Sequence, residues 1–260
     1  MQRNWLTVIL VALACAAAGA DTNSSARARA FAALPDWTGI WQSAVWPMDV
    51  SGRVPGGEEQ LRNTLQLLRH PPYNPEWEAK YQAGIANVSA FAGATATFKT
   101  CARAFPALME GPWMFQIAVL PDETLLIFEN GQVRHIYTDG RHHPLKEDLW
   151  PTRLGDSVGH WEGGALVIDT IALTAEPIAP RAWASLLSDR AQFTERLRRV
   201  SASELEDQLT IDDPIAFEHP WRITLRYRRL PDMNRMIAYD CIENDRNPVV
   251  NGKLTITAPQ

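Results

Sequence analysis

His135, Asp139, His142 and His143 fall within nine consecutive positions, and His160 follows with Glu162 two residues on. Imidazole beside a carboxylate is the common pairing for proton transfer near neutral pH, because the carboxylate orients the ring and tunes its basicity. The whole stretch, Gln132 to Thr170, reads QVRHIYTDGRHHPLKEDLWPTRLGDSVGHWEGGALVIDT, and nowhere else do titratable groups crowd so closely against turn signals. By the two-residue repeat of a strand, Val133, His135 and Tyr137 share one face. His160 and Glu162 share a face of a second strand, with Trp161 opposite. If both strands line one cavity, His160 and His143 act as base and acid and Asp139 and Glu162 orient them. Tyr137 and an arginine would then steady developing negative charge. Arg134, Arg141, Trp161 and Arg226 are the candidate ligand-binding residues. Each residue also has a plainer role. Asp139 can cap its own turn, His143 can bond a backbone carbonyl, Glu162 can sit in solvent, and the strand arginines can coat an outer face.

Other chemistries have weaker signals. No His-x-Glu-x-x-His or paired-cysteine spacing occurs, so no metal site is expected. Ser157 lies near His160, but Asp-Ser-Val-Gly-His is not a nucleophile elbow. No phosphate-cradling loop or dinucleotide fingerprint is present, and no cofactor is expected. A paired-carboxylate glycosidase stays open, because its spacing is set only in three dimensions.

Composition narrows the partners. The 260 residues carry a net charge of −5 with a pI near 5.7, against the basic face of a nucleic-acid binder. Hydrophobic residues make up 46% and charged residues 21%, ordinary proportions for a globular protein. Ten tryptophans suit either an aromatic core or an aromatic-lined pocket for a small apolar or aromatic molecule. Residues 1–20 read as a signal peptide: Arg3, an apolar run from Trp5 to Ala14, and Ala18-Gly19-Ala20 as the cleavage site. The run is too short to span a bilayer, and a periplasmic or secreted protein without a stable membrane span is expected. Cys15 offers a rival lipidation site, although leucine stands one place late for it. Cleavage leaves Cys101 and Cys241, which an oxidising compartment would allow to pair as a disulfide.

Residues 21–34 are small and polar and read as a disordered leader, leaving 35–260 as one domain. Helices are expected over Glu58 to Leu68 and from Asn74-Pro75-Glu76 to about Asn87, the second with Asn as its cap. From Pro112 the pattern is strands: Met114 to Val119, Thr124 to Glu129, Gln132 to Thr138, a strand from His160 to Glu162, Ala165 to Thr170, Ala191 to Val200, Glu204 to Asp212, Arg222 to Arg229 and Ile237 to Cys241. Asn130-Gly131 and Gly163-Gly164 are hairpin turns, and Asp139-Gly140 is a third tight turn. Short links force antiparallel neighbours. The fold expected is mainly β, an antiparallel closed barrel with one or two short N-terminal helices.

Three blocks carry a resemblance. PDWTGIWQ, at Pro35 to Gln42, resembles the Gly-x-Trp opening strand of lipocalin-like (calycin) barrels. VRHIYTDGRHHP and GDSVGHWEGGALVIDT resemble a family of uncharacterised secreted bacterial proteins, and TIDDPIAFEHPW and CIENDRN resemble its closing blocks. The likeness runs from about Pro35 to Asn247. It departs from the family pattern at His135, Asp156 and Gly164, where Arg, His and Asp are expected. It implies a barrel and a secreted protein and carries no reaction with it.

Three functions follow as expectations. The first is an exported, cofactor-free enzyme using His/carboxylate acid–base chemistry on a small apolar or aromatic molecule, as a lyase, isomerase or hydratase. The second is a lipocalin-type binding protein without turnover. The third is a structural envelope protein whose polar blocks only tie hairpins together.

Overall fold

The Asn-Gly and Gly-Gly pairs set the registers of two hairpins. Gly163 and Gly164 have φ 54° and 82°, the left-handed values that a two-residue hairpin turn requires, and Gly131, at φ 81°, is the left-handed residue that closes a three-residue loop between Phe128 and Gln132. A computed structural model describes residue 29 and residues 31–44, 70–90, 104–111, 113–174, 186–236, 249–250 and 253–254. Nine strands close into a barrel: β1 (Ile40–Ser43), β2 (Met114–Val119), β3 (Glu123–Phe128), β4 (Val133–Tyr137), β5 (Asp156–Glu162), β6 (Ala165–Ile171), β7 (Gln192–Ser201), β8 (Glu204–Asp212) and β9 (Trp221–Arg229). Each pairs with its neighbour in sequence, and β1 pairs with β9 to complete the circle. A separate two-stranded pair joins β10 (Val249–Val250) to β11 (Lys253–Leu254).

One junction departs from the expected antiparallel order. β4 and β5 run parallel and share a single paired position, Tyr137 with Val158. The reason lies in the link from residue 138 to 155. It is long enough for a crossover, and proline and a short 3-10 turn at Lys146–Asp148 keep it extended. The barrel is therefore mixed.

Alternation along the strands fills the interior. Phe193, Glu195 and Leu197 of β7, Leu205, Asp207, Leu209 and Ile211 of β8, and Trp221, Ile223, Leu225 and Tyr227 of β9 are all buried. Trp37 and Trp41, 2% and 0% exposed, anchor the entry to β1, with the Trp41 indole donating to the Trp37 carbonyl at 3.1 Å. Each large side chain buried in this way stabilises the fold by roughly 1.5–3 kcal/mol. Gly39 has φ 136°, and a Cβ there would lie 2.6 Å from Nε of Arg229. Glycine is thus required where the β9 arginine crosses the opening strand.

α1 (Pro75–Ala90) starts as its sequence predicts: the Asn74 side-chain oxygen accepts the Trp77 amide at 3.1 Å. It extends a few residues past the expected end. A second helical turn, α2 (Ala107–Glu110), was not expected. All of residues 104–111 are buried, and Phe105 packs edge-on against Phe193 with centroids 5.0 Å apart. The expected helix over Glu58 to Leu68, the strand Ile237 to Cys241, the signal and most of the leader, and Cys15, Cys101 and Cys241 lie outside the described residues. Among the described residues, no helix is long and apolar enough to cross a membrane.

Candidate functional site

The central stretch yields two arrangements, one on each face of the sheet. Outward-facing positions of β5 are Asp156, Val158, His160 and Glu162; inward ones include Ser157 and Trp161. On β6, Asp169 faces out and Thr170 faces in.

On the outer face His143 is clamped between two carboxylates. Its Nδ1 lies 2.5 Å from Oδ1 of Asp156, and its Nε2 lies 3.1 Å from Oδ1 of Asp169. The β5–β6 register pairs Val158 with Asp169, so Asp156 and Asp169 are diagonal neighbours that one imidazole can bridge. The crossover delivers the ring there, since His143 precedes Pro144 and leaves the Asp139-Gly140 turn in extended form. The His143 side chain is 19% exposed.

Asp156 also lines a cleft of about 420 Å³ at the parallel seam. Below the single rung at Tyr137 and Val158 the two strands diverge, and the gap is bordered by Gln132, by Val133, Arg134, His135 and Tyr137 of β4, and by residues 152–157. Val133, Tyr137 and Leu154 supply apolar surface; His135, Arg153, Asp156 and Ser157 supply polar groups. His135 bonds Glu123 at 2.9 Å and stacks on Tyr137 with centroids 6.3 Å apart.

The remaining residues singled out by sequence do not converge on this cleft. His160 and Glu162 bond each other at 2.9 Å, and Glu162 takes Arg196 at 2.7 Å, all on the outer wall with the His160 side chain 63% exposed. The strand alternation that pairs His160 with Glu162 turns both away from the interior. Hydrogen bonds from His160 and then Arg196 hold the Glu162 carboxyl below its ordinary range. Asp139 orients no histidine. It accepts Arg141 through Nε at 2.9 Å and Nη2 at 2.6 Å and caps its own turn, and the Arg141 bonds keep its carboxyl low. Arg141 in turn lies 4.1 Å above the Tyr137 ring. Trp161 points inward against Trp37, ring centroids 5.1 Å apart. Arg226 stands on the outer face of β9, tied to Glu204 at 2.6 Å and Glu206 at 2.7 Å, and not in a barrel mouth.

Arg134 is the exception among the arginines. It lines the cleft, yet its side chain is 1% exposed and enters the interior. It grips both carboxylate oxygens of Glu195, one of them at 2.9 Å, donates to Thr170 at 2.9 Å and lies 4.0 Å over the Phe105 ring. Ser157 and Thr170 share a hydrogen bond of 2.8 Å beside it.

Sequence reasoning passed over three inward acids, Glu110, Glu195 and Asp207. The signal was present for two of them: Glu195 has the parity of Phe193 and Leu197, and Asp207 that of Leu205 and Leu209. Burial raises the Asp207 carboxyl well above its ordinary range, with the Glu195 charge adding to the effect. Burial lifts Glu110 to about 8. Among the described residues, no group of three His, Cys, Asp or Glu side chains is arranged to hold a metal ion. Comparison with known proteins finds no family model, no curated protein and no solved structure that matches the chain.

Proposed function

We propose that the protein is an exported, cofactor-free enzyme that moves protons on a small apolar or aromatic molecule in the seam cleft. The observation that carries this reading is the double role of Asp156, which borders the cleft and holds His143 at 2.5 Å. A carboxylate held by an imidazole is an oriented proton acceptor or donor, and such a group typically contributes about 10²–10⁴-fold to a rate. Both His143 nitrogens are engaged by carboxylates. Asp156 is therefore the group that meets the ligand, and His143 positions it. The Tyr137 phenol and the apolar wall of Val133 and Leu154 suit a flat, largely apolar substrate. The reaction class this chemistry serves is a lyase, isomerase or hydratase step. The calycin-like reading of the barrel rests on the opening Trp37-Thr38-Gly39-Ile40-Trp41, and export on the signal-like N-terminus.

The test is a metabolite screen by mass spectrometry with wild type, Asp156→Asn and His160→Ala. Product from wild type and His160→Ala, with capture but no product from Asp156→Asn, supports the proposal. Ligand capture by all three with no product from any replaces it with a lipocalin-type carrier.

A further inference from the structure

The gap in the barrel wall has a main-chain edge as well as side chains. At the two ends of the β3–β4 ladder the Thr138 amide donates to the Asp122 carbonyl at 2.8 Å and the Phe128 amide to the Gln132 carbonyl at 2.9 Å. Alternate residues of an antiparallel strand bond to opposite sides, so residues 132, 134, 136 and 138 turn their N–H and C=O groups toward β3. Val133, His135 and Tyr137 turn theirs the other way, toward β5. Tyr137 is paired there in the rung with Val158. Val133 and His135 line the cleft, and among the described residues no strand pairs with them on that side. Along this edge the Val133 carbonyl, the His135 amide and the His135 carbonyl present acceptor, donor and acceptor in turn. The opposite wall differs. There the Gly155 carbonyl accepts the Thr152 hydroxyl at 3.2 Å and the Arg153 carbonyl accepts the Phe105 amide at 2.8 Å.

We propose that the β4 edge recognises a planar heterocycle with a lactam-type rim, an N–H beside a C=O. The ring N–H donates to the Val133 carbonyl, and the ring C=O accepts the His135 amide. The inference rests on the reading of the cleft as the functional site and names the class of molecule it takes. Ladder hydrogen bonds run across the strands in the plane of the sheet. A ring held by them lies in the plane of the wall, with its far rim toward residues 152–157, among them Asp156. Val133 and Leu154 supply apolar surface around it. A hydrocarbon ring of the same outline would cover the two main-chain groups without pairing them, which costs binding energy. An extended peptide also pairs with a strand edge, but the edge available here runs only from Val133 to His135, roughly 7 Å of strand. The cleft volume of about 420 Å³ instead falls in the range of small-molecule sites.

The probes are isocarbostyril, a fused benzene–lactam, and isocoumarin, in which a ring oxygen replaces the N–H without added bulk. Each is titrated into the full chain by calorimetry and followed by heteronuclear amide NMR. The expected result is saturable binding of isocarbostyril, a downfield shift of the His135 amide proton, and affinity for isocoumarin lower by about tenfold or more. Equal binding of both probes at the cleft overturns main-chain recognition and leaves the cleft as the site. Neither probe moving the resonances of Val133 and His135 overturns this inference and the reading of the cleft together. Displacement of isocarbostyril by a more tightly bound blocked tripeptide also overturns it, in favour of strand addition. Isocarbostyril binding as expected, in a protein that turns over no lactam in the metabolite screen, upholds the recognition and removes the acid–base reading.

Discussion

Nδ1 of His143 meets Oδ1 of Asp156 at 2.5 Å across thirteen residues of chain, joining the crossover to the strand that borders the cleft. The contact ties a segment without regular pairing to β5. It also leaves the second oxygen of Asp156 outside the His143 bond.

Replacing Asp156 with Asn should therefore lower turnover of a cleft substrate by about 10²–10⁴-fold. Stability should change by no more than about 1 kcal/mol, because the pair is partly exposed. Asp169→Asn should cost activity less, since its carboxylate is 55% exposed and reaches only the far nitrogen of the ring. Steady-state rates and thermal unfolding of the two variants separate these outcomes.

His160→Ala should leave both activity and stability close to wild type, within about 0.5 kcal/mol for stability. The ring is on the outer wall and bonds only an exposed glutamate that Arg196 also holds. Chemical denaturation and the same turnover assay check it.

Arg134→Met alone should destabilise the protein by about 3–5 kcal/mol, because Glu195 is left charged and alone in the interior. Arg134→Met combined with Glu195→Leu should recover much of the loss. A double-mutant cycle from urea unfolding gives the coupling directly.

Glu110 gives the fold a pH dependence with a definite sign. Burial moves its carboxyl from 4.5 to about 8, so between these values the folded chain holds a proton that the unfolded chain has released. Stability contributed by the neutral group is complete below pH 4.5, falls as the pH rises, and levels off above 8, a change on the order of 5 kcal/mol if the group stays fully buried. Glu110→Gln should flatten this decline by about one proton's worth in unfolding free energy measured from pH 5 to 9.

Much of this architecture could be read from the residues. Asn130-Gly131 and Gly163-Gly164 placed two hairpins because only left-handed backbone closes so tight a turn. The alternation of β2 and β8 gave their limits to the residue. The parallel seam was hidden because residues 139–155 carry no helical period to announce a crossover. The Asp139-Gly140 turn also looked like one more hairpin. The outer and inner polar groups were confused for a related reason. Spacing showed that His160 and Glu162 share a face, yet which face is inward depended on the neighbours of Trp161. The bond between His143 and Asp169 joins residues 26 apart through the path of a loop, which local sequence does not encode. Asp156 drew notice only as a departure from a family pattern, and its place beside His143 emerged from the register of β5.

The lone rung between Tyr137 and Val158 divides the barrel into two continuous meanders, β1 to β4 and β5 to β9, whose strands pair again, among the described residues, where β1 lies against β9. No strand is paired within its own meander across the crossover. A protein cut at Lys146–Asp148 should thus keep every hairpin intact. Two separately expressed halves, ending and beginning there, should find each other and reassemble as a nicked barrel.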